Sequence, residues 1–166
     1  MVREAKTPKT NAMRELERAG ISFSLHTYDD DGEEASGLGE SIAAQLGEDP
    51  DQGFKTLVTV SPSGEYIVCC IPVREELDLK RAAKAAGEKS LTMLHVKDLL
   101  AATGYVRGGC SPVGMKKRFK TLIDETCELW DTIYISGGKR GYQLELAPLD
   151  LVSFTGAIVA DIVRES

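Results

Sequence analysis

Apolar positions recur along the chain with two different periods, which predict a mixture of helices and strands. A helical period extends from Pro8 to Gly20, with Thr7 as the predicted cap and Pro8 as the first helical residue. Apolar and polar residues then alternate over 22–28, which predicts a strand with one buried face. The acidic run that follows, 29–34, predicts a solvated loop because clustered like charges repel one another and resist burial.

The rest of the chain mixes helical and strand patterns without regular βαβ alternation. Helical periods that end at a glycine predict helices at 38–46, 78–86 and 96–102. Two β-rich runs, 54–60 and 65–73, flank a Ser-Pro-Ser-Gly turn and predict a hairpin. Shorter apolar runs occupy 90–94, 121–123, 132–136, 143–146 and 157–163. The pattern predicts an α+β fold, with a mixed, mostly antiparallel sheet or a distorted barrel and surrounding helices.

Length and composition narrow the class of protein. A chain of 166 residues with 42% apolar and 28% charged residues is ordinary for one globular domain, so we expect a single domain over 1–166. Neither a signal peptide nor a stretch of ~20 apolar residues is visible, so we expect a cytoplasmic protein without membrane contact. The net charge of −6 disfavours general coating of nucleic acid, and any RNA contact must therefore be local.

The four cysteines lack the paired spacing of a zinc site or a redox motif, and we expect no metal and no cofactor. Cys69 and Cys70 are adjacent and would point to opposite faces of a strand, which favours packing roles over a disulfide. For Cys110, a nucleophilic role is the minor alternative to a buried, inert thiol. His26 and His95 are predicted to be structural, because no Ser-His-Asp or Cys-His arrangement is visible.

Two glycine-rich segments, 104–114 and 136–141, are the best candidates for a site. The first packs two adjacent glycines, a Ser-Pro pair and a third glycine into seven residues, and its N–H groups can converge on an oxyanion. The second also fits a plain hairpin turn, and neither has the spacing of a Walker or dinucleotide loop. Basic runs at 116–120 and 139–140 adjoin the two segments, so an anionic ligand near both would explain the pattern.

Lys55 is the other candidate, because it stands one residue into the predicted strand 54–60. A charged side chain at that position is unusual unless that face of the strand is exposed to solvent. The pattern alone supports equally an edge lysine whose amine reaches solvent and a functional lysine.

Six separated motifs, in order over nearly the whole chain, resemble one protein family. They are Lys6–Pro8, His26–Tyr28, Phe54–Leu57, Leu77–Lys80, Gly104–Tyr105 with Gly108–Lys117, and Ile133–Gly141. Together they resemble the YbaK/EbsC family of Cys-tRNA(Pro) deacylases, which is related to the editing domain of bacterial prolyl-tRNA synthetases. The resemblance implies the fold of that family and an enzyme that removes cysteine from mischarged tRNA(Pro) in trans, with prolyl-tRNA synthetase as a partner.

The resemblance also implies roles for particular residues. A lysine in the place of Lys55 is the principal functional residue, and the backbone at Gly108 and Gly109 holds the aminoacyl ester. The remaining substrate contacts are expected at Tyr28, Phe54, Cys110, Ser111, Pro112, Ser136, Gly137, Gly138 and Lys139. In the family the substrate's own thiol attacks its ester, so the protein supplies position and electrostatics. The alternatives are a deacylase for another mischarged tRNA, such as Ala-tRNA(Pro), and a non-catalytic module that binds tRNA or a synthetase.

Overall fold

The computed structural model describes residues 8–30 and 37–165 of the chain. Within these residues the helices are α1 (Asn11–Arg18), α2 (Leu38–Leu46), α3 (Leu79–Ala86), α4 (Val96–Thr103) and α5 (Pro148–Thr155). The strands are β1 (Ser24–Thr27), β2 (Phe54–Val60), β3 (Tyr66–Pro72), β4 (Thr92–Met93), β5 (Lys120–Asp124), β6 (Ile133–Ser136), β7 (Tyr142–Leu146) and β8 (Ile158–Ala160). No helix in the described ranges has the length and apolar character needed to cross a bilayer.

The strands form two sheets. Three strands pair antiparallel in the order β1-β7-β6, and five pair in the order β4-β2-β3-β5-β8. In the larger sheet β2 is antiparallel to β3 and β4, whereas β5 is parallel to β3 and β8. The predicted α+β class with a mostly antiparallel mixed sheet is confirmed. The barrel alternative is not formed in the described part of the chain, because the edge strands of each sheet remain unjoined to one another.

The two sheets meet at the start of β2. Gly53 forms an isolated parallel bridge with Tyr134 of β6, and the Gly53 carbonyl also accepts a hydrogen bond from the Val73 amide at 2.9 Å. The first residues of β2 therefore lie at the seam between the five-stranded sheet and the smaller, three-stranded sheet. This seam positions the candidate site.

Apolar side chains pack against both faces of β3, as the paired cysteines predict. Cys70 joins the core formed with α1, α5 and the smaller sheet, whereas Cys69 joins the core under α3. Both thiols are free and buried, which confirms their packing role. The alanine-rich face of α3 allows that helix to lie close to the sheet.

The N-terminal helix begins later than its sequence predicts. Thr10 is its cap: the hydroxyl accepts from the Met13 amide at 3.3 Å and donates to the Gly137 carbonyl at 2.5 Å. Pro8 precedes the helix, and Thr7 lies outside the described residues, as do positions 31–34 of the predicted acidic loop. The prediction of Pro8 as the first helical residue is thus wrong, because a threonine closer to the apolar stripe caps the helix and ties it to the second glycine segment.

Candidate active site

A cavity of about 320 Å³ opens at the seam between the two sheets. Its walls come from α2, the start of β2, residues 107, 108 and 110, and the smaller sheet. This volume falls within the usual range for small-ligand sites. Leu38 and Ile42 of α2 supply apolar wall, while Lys55 and Gln143 supply polar groups. The cavity can therefore enclose a small acyl group and offer it directed polar contacts.

Lys55 lies on the cavity wall and is half-buried. Burial lowers its pKa below the ordinary lysine value, and the nearby carboxylates of Glu76, Glu75 and Glu40 oppose that shift. Within the described residues its amine forms neither a hydrogen bond nor an ion pair. A partly desolvated cation of this kind is available to a ligand.

The two glycine segments are in contact at the cavity. Gly108 adopts the left-handed backbone region at φ +86°, and a Cβ there would lie 3.2 Å from Leu38 Cδ2. A Cβ at Gly109 would lie 3.2 Å from both the Lys139 Cα and the Arg140 amide nitrogen. A side chain at either glycine would therefore crowd its neighbours, and the close approach of the two segments depends on glycine.

The backbone donors of the first segment are not equivalent. The Gly109 amide donates to the Val106 carbonyl at 3.0 Å. The amides of Gly108 and Cys110, both on the cavity wall, form no hydrogen bond with other described residues. The Gly109 N–H is therefore used to close the turn, whereas the N–H groups of Gly108 and Cys110 are left without a partner among the described residues.

Two comparisons with known proteins agree on the family. The model of the aminoacyl-tRNA editing domain matches residues 33–154, which is most of the chain. A protein of Enterococcus faecalis, named as a candidate Cys-tRNA(Pro)/Cys-tRNA(Cys) deacylase, EbsC, is 44% identical over 165 residues, covering 99% of each chain. The chain belongs to the aminoacyl-tRNA editing domain family.

Solved structures show that the fold is that of this editing domain family. A structure of the hypothetical protein APE2540 aligns with a TM-score of 0.84 at 24% identity, covering 93% of this chain and 100% of the other. A structure described as a candidate trans-editing enzyme for prolyl-tRNA synthetase aligns with a TM-score of 0.82 at 24% identity, covering 96% and 100%. The prediction of an aminoacyl-tRNA editing enzyme of the YbaK/EbsC type is confirmed by the family match and the Enterococcus relative.

The residues predicted for the editing site fall into two groups. The cavity wall includes Tyr28, Phe54, Lys55, Gly108, Cys110 and Ser136. The residues that lie off this wall are Gly109, Ser111, Pro112, Gly137, Gly138 and Lys139. Their predicted contact with substrate stays a prediction, and the structure shows how they hold the wall in place.

Contacts behind the wall explain that supporting arrangement. The buried hydroxyl of Ser111 accepts from the Val113 amide at 3.3 Å. A Cβ at Gly137 would lie 2.8 Å from Tyr142 Cβ, and the Lys139 amine lies 5.2 Å from the centroid of the Tyr142 ring. The hydroxyl of Ser136, a residue of the cavity wall, accepts from the Gly138 amide at 3.2 Å.

Cys110 lies on the wall with its thiol in an unreactive state. The residue is buried, and burial raises the pKa of its thiol to about 12. A thiolate, which is the nucleophilic form, is strongly disfavoured there at neutral pH. The geometry therefore supports the inert thiol over the nucleophile.

Sequence reasoning missed several residues of the wall. Glu48, Arg107 and Tyr134 line the cavity and carry polar groups. Arg107 lies inside the first glycine segment, where the glycines and not the arginine were taken as the signal of a site. The others come from a turn and a strand whose meeting depends on the tertiary fold, so no local pattern marked them.

Proposed function

We propose that this editing domain removes cysteine from mischarged Cys-tRNA(Pro) in trans. The position of Lys55 carries the proposal: a half-buried cation, free of partners among the described residues, faces a cavity large enough for an aminoacyl group. The full-length similarity to the Enterococcus deacylase candidate supports the choice of cysteine. Binding pockets discriminate poorly between amino acids that differ in size by about a methylene. A second, hydrolytic step is therefore needed to remove the wrong amino acid after it has been attached.

The proposed reaction uses the substrate's own thiol. The thiol sulfur attacks the ester carbonyl carbon, the new C–S bond forms, and the ester C–O bond to the tRNA ribose breaks. The thiol proton ends on the ribose oxygen, which releases intact tRNA and a cysteine thiolactone. Water then opens the thiolactone to free cysteine. No protein nucleophile is needed, which suits a site whose own cysteine is buried and protonated.

The protein's part is to position and stabilise. The Lys55 ammonium orients the aminoacyl group or the 3′-terminal adenosine through its charge. The amides of Gly108 and Cys110 donate hydrogen bonds to the oxygen that becomes negative as sulfur attacks. The loss of one such donor typically costs ~3 kcal/mol of transition-state stabilisation.

Selection of the tRNA is assigned to a partner. The chain has a net charge of −6, which gives little general attraction to tRNA. We therefore propose that prolyl-tRNA synthetase, in the cytoplasm, presents the mischarged tRNA to the editing domain. The description of a solved structure with a similar fold as a candidate trans-editing enzyme for prolyl-tRNA synthetase supports this partner.

The deciding experiment measures release of amino acid from tRNA(Pro) charged with cysteine, alanine or serine. The wild type, Lys55→Ala and the exposed control Lys89→Ala are compared, each with and without prolyl-tRNA synthetase. We expect rapid release of cysteine by the wild type and by Lys89→Ala, and a loss of about a hundredfold or more in Lys55→Ala. Thermal unfolding should show that both variants remain folded.

Each alternative has its own outcome. Preferred release of alanine or serine identifies a deacylase for another mischarged tRNA. Stable retention of charged tRNA without turnover supports a binding module. Full activity of Lys55→Ala overturns the role given to that lysine.

A further inference from the structure

Two leucines outside the cavity are unusually exposed. Among the large apolar side chains of the described residues, Leu129 and Leu149 have the highest exposed fractions, 78% and 74%. Leu129 ends a 3-10 helix, Glu125–Leu129, and Leu149 lies in the first turn of α5. This 3-10 helix and α5 are in contact, so the two leucines belong to neighbouring elements on one surface.

The two leucines share one end of the β6–β7 hairpin. The strands are antiparallel, with Ile133 paired to Leu146 at one end and Ser136 paired to Gln143 at the other. The second glycine segment closes the Ser136 end, which borders the cavity. The 3-10 helix precedes β6 and α5 follows β7, so both lie at the open end, three residue steps or about 10 Å along the strands. Neither leucine lines the cavity.

Carboxylates accompany both leucines. Glu125 and Glu128 lie on the 3-10 helix, Asp131 follows it, and Asp150 is next to Leu149. All four side chains are exposed and form neither a hydrogen bond nor an ion pair with another described residue. The leucine–carboxylate patch is defined as Glu125, Glu128, Leu129, Asp131, Leu149 and Asp150.

The charge of this patch restricts what can cover its leucines. Four unpaired carboxylates repel the phosphates of RNA over a screening length of about 8 Å. A second copy of the chain, docked symmetrically, would place the same carboxylates opposite one another, which is also unfavourable. The complement of the patch is a protein surface with an apolar groove edged by lysine and arginine, because such a surface pairs the charges and covers the leucines.

We propose that the leucine–carboxylate patch docks the synthetase partner, prolyl-tRNA synthetase, through a basic-rimmed apolar groove on that enzyme. The inference rests on the proposed function, which assigns selection of the tRNA to the synthetase. Since the patch lies off the cavity wall, the synthetase can occupy it while the aminoacyl end of the tRNA enters the cavity. One surface then serves the protein and the other serves the ester.

The test measures binding of the full chain to purified prolyl-tRNA synthetase, with and without uncharged tRNA(Pro). The double variant Leu129→Ala/Leu149→Ala should raise the Kd about tenfold or more, because the groove loses two buried leucine side chains. The matched control is Leu100→Ala, since Leu100 is also exposed, at 54%, but lies on α4. It should bind as the wild type does, and thermal unfolding should show that both variants are folded.

A charge variant tests the rim independently of the leucines. Glu128→Lys/Asp131→Lys should slow association with the synthetase and weaken its dependence on salt, because it removes the steering attraction. Glu65→Lys is the control, since Glu65 is exposed on the turn between β2 and β3. It should leave the association rate nearly unchanged. The charge variant also decides the question if the leucine variant fails to fold.

Deacylation separates docking from chemistry. Without the synthetase, Leu129→Ala/Leu149→Ala should deacylate Cys-tRNA(Pro) at the wild-type rate, because the patch lies off the cavity wall. The synthetase should accelerate the wild type, and about tenfold more of it should be needed to accelerate the variant equally.

The remaining outcomes overturn one proposal or the other. Undiminished binding of the synthetase by both patch variants overturns the docking surface. So does self-association of the wild type that the leucine variant loses, or loss of tRNA(Pro) binding by that variant without the synthetase. A wild type that deacylates but fails to bind the synthetase overturns the surface and leaves the reaction standing. Patch-dependent binding without deacylation of any charged tRNA overturns the proposed reaction instead.

Discussion

The backbone of Gly109 lies against the backbone of Lys139, although thirty positions separate them in sequence. A Cβ at Gly109 would stand 3.2 Å from the Lys139 Cα, a distance that one of the two segments must relieve by moving. We expect Gly109→Ala to lower the free energy of unfolding by about 1–3 kcal/mol, the usual cost of overpacking. Denaturant unfolding would measure it.

Gly53→Ala is the matched control for this change. Its Cβ would meet only ordinary contacts, the nearest at 3.6 Å, so its effect on the free energy of unfolding should be smaller. Equal losses in the two variants would show that the cost comes from glycine replacement in general and not from the contact with Lys139.

The reaction should have an alkaline limit set by Lys55. Because burial lowers the pKa of this lysine, the ammonium form is complete at lower pH and is lost as pH rises through the lowered value. The catalysed rate, corrected for spontaneous ester hydrolysis, should therefore fall on the alkaline side earlier than for an ordinary lysine. The carboxylates of Glu40, Glu75 and Glu76 moderate the shift.

Lys55→Arg provides the control, because a guanidinium stays charged throughout this range. That variant should be slower than the wild type but should lack the alkaline decline. An identical decline in both proteins would assign the limit to another group, such as the amine of the substrate.

The distance between α2 and the end of β3 should depend on Gly39. A Cβ there would lie 2.5 Å from both Cβ and Cγ1 of Val73. We expect Gly39→Ala to cost about 1–3 kcal/mol of stability and to reduce kcat/KM, because α2 carries Leu38 and Ile42 of the cavity wall. The clash makes the two positions energetically coupled.

A double-mutant cycle with Val73→Gly measures that coupling. The loss in free energy of unfolding in the double variant should be smaller, by about 1 kcal/mol or more, than the sum of the losses in the two single variants. Additive losses in the free energy of unfolding would show that the cost of Gly39→Ala does not come from contact with Val73.

The native protein should resist thiol alkylation. Its four free cysteines are buried, and burial raises the thiol pKa to about 12 at Cys69 and Cys110 and about 11 at Cys127, with Cys70 also raised. Mass spectrometry after iodoacetamide treatment at neutral pH should find little labelling in the folded state and full labelling in urea. Deacylation should survive the treatment once the reagent is removed. Rapid labelling of Cys110 with loss of activity would restore it as a nucleophile candidate.

Local patterns predicted the elements that local chemistry determines. The helix α2 was predicted with its observed bounds, since its apolar period ends at a glycine that adopts φ +68°. The β2–β3 hairpin was predicted as well, because Ser61 and Gly64 close its turn. By contrast, α5 was not predicted, although Pro148 at its first turn and Gly156 after its end are sequence signals that could have identified it.

The pairing of strands and most of the cavity depend on distant contacts. The parallel ladder of Ile67 with Lys120 joins segments separated by two helices, and no turn chemistry predicts such a pairing. For the same reason the meeting of Glu48 with Gln143 was not predictable, because a helix end and a strand centre come together only when the smaller sheet docks. Lys55 could be singled out from the sequence because a charged residue is unusual near the start of an apolar strand.

The cavity draws its walls from two separate sheets, with Lys55 on the larger and Ser136 and Gln143 on the smaller. This separation has an evolutionary consequence. The strand that carries the lysine and the smaller sheet nevertheless share one core, because Phe54 and Val58 pack in the same cluster as Ile133 and Leu144. A substitution in that core of the smaller sheet would therefore be felt at Lys55 as well, so a change of substrate by mutation is more easily made at wall positions such as Ser136, outside the core.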